Sequence, residues 1–270
     1  MSSTGELDIW SGPIALMDLH VPAWKSSRKD ATLLDHLRLV RQNIRNGFLN
    51  IRSMYRMAKV NSFQGVKIKS PWSWKLFTCQ SPNNAWMFAF RQMALDMYKN
   101  INEAVANRDE KTIKAFSTGE QQLAYIKLAR QQDSRFLSVW KLHGERMPSR
   151  VVSLRATEGH SGLEGPKIGN RLVVQALVRF DTMQSLELHS KKTGALVPGL
   201  DTNPKPVVEY LVFQKRMCAG SVNVVVLWRF PLKPFICDPD PLRGVFAPRQ
   251  LYIIVLLVYT DNITHLHTCQ

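Results

Sequence analysis

The chain has 270 residues, 45% of them apolar and 21% charged, which suits a folded protein and argues against wholesale disorder. Thirty-six Lys and Arg against 21 Asp and Glu leave a net charge of +15, with a pI near 9.9. Such a balance argues against polycationic partners and points to polyanions, RNA or anionic lipid, with both open.

The four cysteines, Cys79, Cys218, Cys237 and Cys269, have no paired spacing, so no disulfide framework is expected. The longest apolar run, residues 251–259, suits a buried strand and is too short for a membrane span, so no transmembrane segment is expected. The opening MSSTGELDIW carries Glu6 and Asp8 and no early Arg, unlike a secretory signal or a usual mitochondrial presequence.

In chain order, residues 1–24, with Pro13 and Pro22, read as an extended arm. Between Lys25 and Lys75 twelve Lys or Arg stand against Asp30 and Asp35. Most of the net charge therefore lies in this one segment. Residues 31–60 are predicted as one helix, because Leu33, Leu37, Val40, Ile44, Phe48, Ile51, Tyr55 and Ala58 recur at three- and four-residue steps. It would be roughly 45 Å long at 1.5 Å per residue.

Arg38, Arg41, Arg45, Arg52, Arg56 and Lys59 recur at the same spacing. At about 100° per residue they fall within an arc of about 60°, beside an apolar arc about 80° wide. Like charges so close repel unless an anion lies against them, which makes these six the candidate site for RNA or anionic lipid. Gly47 interrupts the helix at a cost of about 1 kcal/mol.

Residues 70–84, with Pro71 and Pro82, read as a linker. A more apolar helix follows over 85–107, with Trp86, Phe90, Met93, Met97, Ile101 and Val105 on a core stripe. Asp109 is placed to cap a short helix through Phe116, and 119–132 is a further helical stretch. From Phe136 the period shifts towards two, and strands are predicted over 137–143, 150–156, 171–189 and 207–217. Their loops are 159–170 and 191–206. Helices followed by a meander give an α+β layout, with helices on one face of a curved antiparallel sheet, preceded by the long basic helix.

The sequence lacks a P-loop, a dinucleotide glycine pattern, a two-histidine zinc helix, a nucleophile elbow and paired CxxC knuckles. Gly159, Gly162 and Gly165 precede Pro166 rather than a helix, so they read as a loop and not a phosphate cradle. His265, His267 and Cys269 have metal-ligand chemistry but read as a solvated tail. Asp238 and Asp240 read as loop carboxylates. A hydrophobic pocket between helix and sheet is a lesser reading. No catalytic, cofactor-binding or metal-binding residue is assigned, no small-molecule substrate is expected, and the chain is read as a binding protein and not an enzyme.

Residues 171–217 are more specific. Val178, Arg179 and Phe180, then Thr182, the step Gln184, Ser185, Leu186, the Gly194 turn, and Pro206 leading into Glu209, Tyr210, Leu211, Val212 and Phe213 form a hairpin pattern. With the helix from Tyr98 to Asp109, Trp140, Lys141, Leu142, His143 and Val151 to Ala156, this resembles the membrane-associated mitochondrial ribosomal family that joins animal large-subunit protein L-forty-five and the fungal inner-membrane ribosome receptor.

The resemblance implies a cone-shaped, cystatin/NTF-two-like α+β domain over residues 83–217, shared with the motor-anchoring subunit of the inner-membrane import translocase. Residues 1–82 would be its basic extension. Residues 218–270, charge-poor and proline-punctuated, depart from the family pattern as an atypical tail that either supplies a closing strand through Trp228 or does not.

The implied function is to dock the mitochondrial ribosome at the matrix face of the inner membrane while hydrophobic products are inserted, with no active site or cofactor. The implied partners are rRNA and exit-site proteins, the membrane surface and the membrane insertase. The alternative is a peripheral inner-membrane protein that acts in protein import or respiratory-complex assembly by binding lipid.

Overall fold

A computed structural model describes residues 15–23, 32–63, 65–158, 170–198, 202–217 and 224–230, with the β4 side chains other than Val226 left aside. The glycines of 159–165, Asp238, Asp240, the apolar run 251–259, and His265, His267 and Cys269 lie outside the described residues.

The elements are α1 (Leu33–Lys59), α2 (Ala85–Asn107), α3 (Glu110–Phe116), α4 (Gly119–Gln131), then β1 (Phe136–Glu158), β2 (Leu172–Ser190), β3 (Lys205–Arg216) and β4 (Val224–Phe230). The strands form one sheet in the order β1-β2-β3-β4. It is an α+β fold, helices first and an open antiparallel meander after. Antiparallel pairing of β2 with β3 is visible where Met217 N–H donates to Leu172 O at 2.9 Å.

Local chemistry explains the boundaries. Thr32 caps α1 in a capping box with Asp35, each side chain accepting from the other's backbone N–H. Asp109 caps α3 by accepting from Lys111 and Thr112 N–H. Gly194 takes φ +67° in the turn after β2, where a side chain would be strained. β2 is buried almost continuously from Leu172 to Val178, as expected of an inner strand covered on both faces.

The structure departs from the sequence expectation in two places. The separate strands expected at 137–143 and 150–156 are one strand of 23 residues. Pro148 does not break it, because β1 lies at the edge of the sheet, where a residue without an N–H costs no ladder bond. Residues 70–84 are not a loose linker. A 3-10 turn at Trp74–Leu76 buries Leu76 completely, Cys79 is buried beside it, and Asn84 Nδ2 donates to Lys75 O at 2.7 Å.

The contacts divide the chain into two compact units, Met1–Ala94 with Ser149–Arg179 and Leu211–Leu227, and Leu95–Pro148 with Phe180–Tyr210 and Trp228–Gln270. The core of the first is built from Met54, Leu76, Met87, Leu154, Leu177 and Phe213. That of the second uses Tyr98, Ile101, Ile113, Tyr125 and Phe180. On α2, Trp86, Met97 and Ile101 are buried as the period predicts, while Phe90, Met93 and Val105 are half-buried and Met87, Ala94 and Tyr98 take the deepest positions.

Candidate polyanion-binding surface

Helix α1 packs through polar residues. Its buried side chains are Asn46, Asn50, Ser53, Met54, Met57 and Ala58, with Asn46 1% and Asn50 2% exposed. Three of these meet the outer edge of β1, where alternate residues present backbone groups that no neighbouring strand satisfies. Asn46 Nδ2 donates to Val152 O at 2.9 Å, Asn50 Oδ1 accepts from Leu154 N–H at 2.8 Å, and Ser53 Oγ accepts from Ala156 N–H at 3.1 Å. The spacing of four and three residues along the helix matches the two-residue repeat along the strand, so the helix closes the sheet edge with side chains in place of a strand.

Arg155 completes the seam. Its guanidinium donates to Asn50 Oδ1 at 3.0 Å, Asn46 Oδ1 at 2.9 Å and Asp18 O at 2.7 Å. Burial pushes its pKa below the ordinary arginine value, opposed by the charge of Asp18. Residues 15–23, part of the segment read from sequence as an extended arm, are held here too: Met17 N–H donates to Gln175 Oε1 at 2.8 Å, and Asn43 Nδ2 to Ala23 O at 2.8 Å.

The apolar stripe that made α1 recognisable is therefore left in the open over its first four turns. Leu37 is 65% exposed, Ile44 56% and Phe48 69%, with Leu33 and Val40 exposed as well. On a wheel of about 100° per residue, the packed face lies about 130° from the apolar stripe, and the cations fill the arc between on the far side. The helix has three faces, of which, among the described residues, the polar one is packed along its length and the other two only near the C-terminal end, through Tyr55, Arg56 and Ala58.

The six predicted cations divide by position. Arg41, Arg52 and Lys59 are exposed and make no ion pair among the described residues. Arg38 lies 3.3 Å from Asp35 and Arg45 lies 3.2 Å from Asp18, both pairs largely in solvent and worth little, so both cations can exchange their partner for an external anion. Arg56, at the edge of the arc nearest the sheet, donates to Ala156 O at 2.9 Å and is half-buried. It serves the β1 edge, which sequence spacing did not reveal. Along the sequence that follows Asp35 the charge is one-signed: no Asp or Glu occurs before Asp96, while ten Lys or Arg do.

Other parts of the chain carry structure. In the second unit Tyr98 Oη donates to Glu209 Oε2 at 2.6 Å and accepts from Gln184 Nε2, and Trp140 Nε1 donates to Gln184 Oε1 at 3.0 Å. The Tyr98 ring stacks on Phe180 at 4.5 Å. These are the residues that carry the hairpin pattern, and they form a buried polar network.

The first unit holds a cavity of about 30 Å³ lined by Met57, Phe63, Met87, Phe90 and Leu154 with Lys215, whose pKa is lowered by burial. That is room for about one water, far from the several hundred Å³ of a ligand cleft. Burial pushes the Cys79 thiol up to about 12, so it is an inert core group at neutral pH. Among the described residues no group of His, Cys, Asp and Glu could hold a metal ion, and no helix is long and apolar enough to cross a membrane.

Comparison with known proteins agrees with the hairpin pattern. The chain is 26% identical over 213 residues to the large ribosomal subunit protein mL45 of Caenorhabditis briggsae and 27% identical over 213 residues to that of Caenorhabditis elegans. In each case 78% of this chain and 50% of the relative are covered, so the chain spans about half the length of the curated relatives it matches. A family model described as MBA1-like protein matches residues 39–228, from the second turn of α1 into β4. The chain belongs to the MBA1-like protein family.

Proposed function

We propose that this chain is a protein of the mitochondrial large ribosomal subunit, or a receptor bound to it, and that it holds the ribosome at the matrix face of the inner membrane while hydrophobic products are inserted. The ribosomal part is supported by relatives named as large ribosomal subunit proteins. The tethering part rests on one observation: α1 spends a polar face on its own sheet and keeps a cationic face and an apolar face outward, side by side. Phosphate takes the cations, and the aliphatic stripe fits the acyl boundary of a bilayer or an apolar surface at the ribosome exit. On this reading the cations of residues 1–82 other than Arg56 make the docking contact, and residues 83–217 supply the α+β domain that carries the helix.

With Arg56 engaged, five cations remain for phosphate. By the duplex rule the log-log salt slope is about −4.5, so a fourfold rise in salt weakens binding roughly 500-fold. The test is co-sedimentation of the full chain with mitochondrial ribosomes. The variant R38Q/R41Q/R45Q/R52Q/K59Q is expected to stay in the supernatant, and unchanged pelleting would refute the assignment.

A second reading, a peripheral inner-membrane protein that acts by lipid binding, is favoured by the exposed Leu37, Ile44 and Phe48. Flotation on cardiolipin-containing vesicles without ribosomes, combined with no ribosome pelleting, selects it. In the tethering reading, L37Q/I44Q/F48Q still pellets with ribosomes but no longer floats them with vesicles.

A further inference from the structure

We propose that residues 67–77 bind unstacked bases of single-stranded RNA, with Trp72, Trp74 and Phe77 as stacking planes and Lys67, Lys69 and Lys75 as phosphate contacts. The segment was read from sequence as part of a linker, and α1 does not account for it. Trp72 is 69% exposed, Trp74 79% and Phe77 54%, an unusual display for the largest apolar side chains. All three lysines are exposed, and no acid lies anywhere between Asp35 and Asp96.

The display is built and held. Leu76 is fully buried between its exposed neighbours and pins the turn. Ser73 caps the turn, and Asn84 Nδ2 ties Lys75 O at 2.7 Å. Gln80 Nε2 donates to Val152 O at 3.0 Å, fixing the following residues to β1. Trp72 leans on Tyr55 at 5.1 Å between centroids, and Trp74 on Phe77 at 5.3 Å, so the rings are supported on one side and open on the other. A rigid ring loses little freedom when a base covers it.

Side-chain sorting selects RNA over lipid. Of the aliphatic side chains of the segment, Leu76 is buried and Ile68 half-buried, while every exposed apolar group is an aromatic ring. A lipid surface accepts aliphatic and aromatic groups alike. A base requires a flat π-face, and every base has one, so binding would tolerate sequence. Interleaved lysines track the backbone. The inference rests on the ribosomal reading for the source of the RNA and makes no use of membrane docking.

The test uses the full chain, a short labelled oligoadenylate, the matching RNA duplex, and phosphatidylcholine vesicles with and without cardiolipin. W72L/W74L/F77L keeps apolar bulk and removes the π-faces. It is expected to bind the single strand at least about tenfold more weakly, with duplex affinity and melting temperature unchanged because the rings are exposed. K67Q/K69Q/K75Q is expected to reduce the single-strand salt slope by about 2.

Unchanged single-strand affinity in the leucine variant overturns the proposal. So does an equal loss on the duplex, or a loss confined to cardiolipin vesicles, which would assign the rings to lipid. The two readings fail separately. A leucine variant that loses the oligonucleotide but still pellets with ribosomes supports both, whereas a wild-type chain that binds oligonucleotide through the rings but never pellets with ribosomes sinks the ribosomal reading alone.

Discussion

Replacing Asn50 by Leu makes α1 more apolar, and by the usual logic of amphipathic helices it would be tolerated or welcome. The seam with β1 requires the opposite. Asn50 Oδ1 accepts from Leu154 N–H at 2.8 Å and from the Arg155 guanidinium at 3.0 Å, and the residue is 2% exposed. Without that oxygen a buried backbone donor loses the partner that stands in for a strand, at about 1–3 kcal/mol, and a charged donor loses one of its acceptors, at up to a similar cost. Val152 O is less affected, since Asn46 and Gln80 also donate to it.

The expected loss is about 2–4 kcal/mol. With a urea m-value at the upper end for single domains, about 3 kcal/mol/M, the midpoint should fall by roughly 1 M at unchanged m. Amide exchange at Leu154 should accelerate in step. Asn50→Asp, which keeps the acceptor and faces Arg155 with charge, should lose about 1 kcal/mol or less at neutral pH. The matched control is I44Q/F48Q on the open stripe, expected to change stability by about 0.5 kcal/mol or less per substitution. If the stripe variant costs more than Asn50→Leu, α1 packs through its apolar face and the assignment of the seam is wrong.

Two further outcomes test other parts of the chain. Tyr98→Phe keeps the stacked ring on Phe180 but removes the hydroxyl shared by Glu209 and Gln184, and should cost about 2 kcal/mol by thermal or urea denaturation; a change under about 0.5 kcal/mol would show that the network is not a stabilising core. The Arg130 side chain, bonded to Glu110 at 2.6 and 2.9 Å, holds the Glu110 carboxyl below its ordinary value. Because the folded value is depressed, the pair's contribution is complete above the unfolded glutamate value of about 4.3 and is lost as pH falls through the folded one. Arg130→Gln should therefore flatten the dependence of melting temperature on pH below about 4.5, and an unaltered acid slope would rule the pair out.

The contrast between α1 and the hairpin region marks what the sequence can carry. Helices α2, α3 and α4 were legible because each has a local cause, an apolar period or a capping aspartate, and such causes need only a few neighbouring residues. The hairpin pattern was legible as a resemblance, and its residues prove to be the buried partners Tyr98, Phe180, Gln184 and Glu209. The packing face of α1 was not legible. Asn46, Asn50 and Ser53 are placed by the edge of a strand about a hundred residues away, and no local period contains that edge. The continuity of β1 through Pro148 was hidden for the same reason, since a proline is tolerated in a strand only where the topology leaves that side unpaired.

The exposed stripe of α1 is itself informative about function. An amphipathic period ordinarily records burial within the fold, because an exposed aliphatic stripe lowers solubility and gains nothing for the isolated chain. Here the fold is served by Asn46, Asn50, Ser53, Met54, Met57 and Ala58, so Leu33, Leu37, Val40, Ile44 and Phe48 of the stripe contribute little to it. Among the described residues nothing covers their regular spacing over four turns, and it is this open stripe that the proposed docking surface would occupy. On the proposed reading, the cations beside the stripe call for a surface that is anionic and apolar within one helix width, as a bilayer face is and a bare RNA duplex is not. The rings at Trp72, Trp74 and Phe77, with no exposed aliphatic group among them, suit a different chemistry on the same unit, the base stacking proposed above.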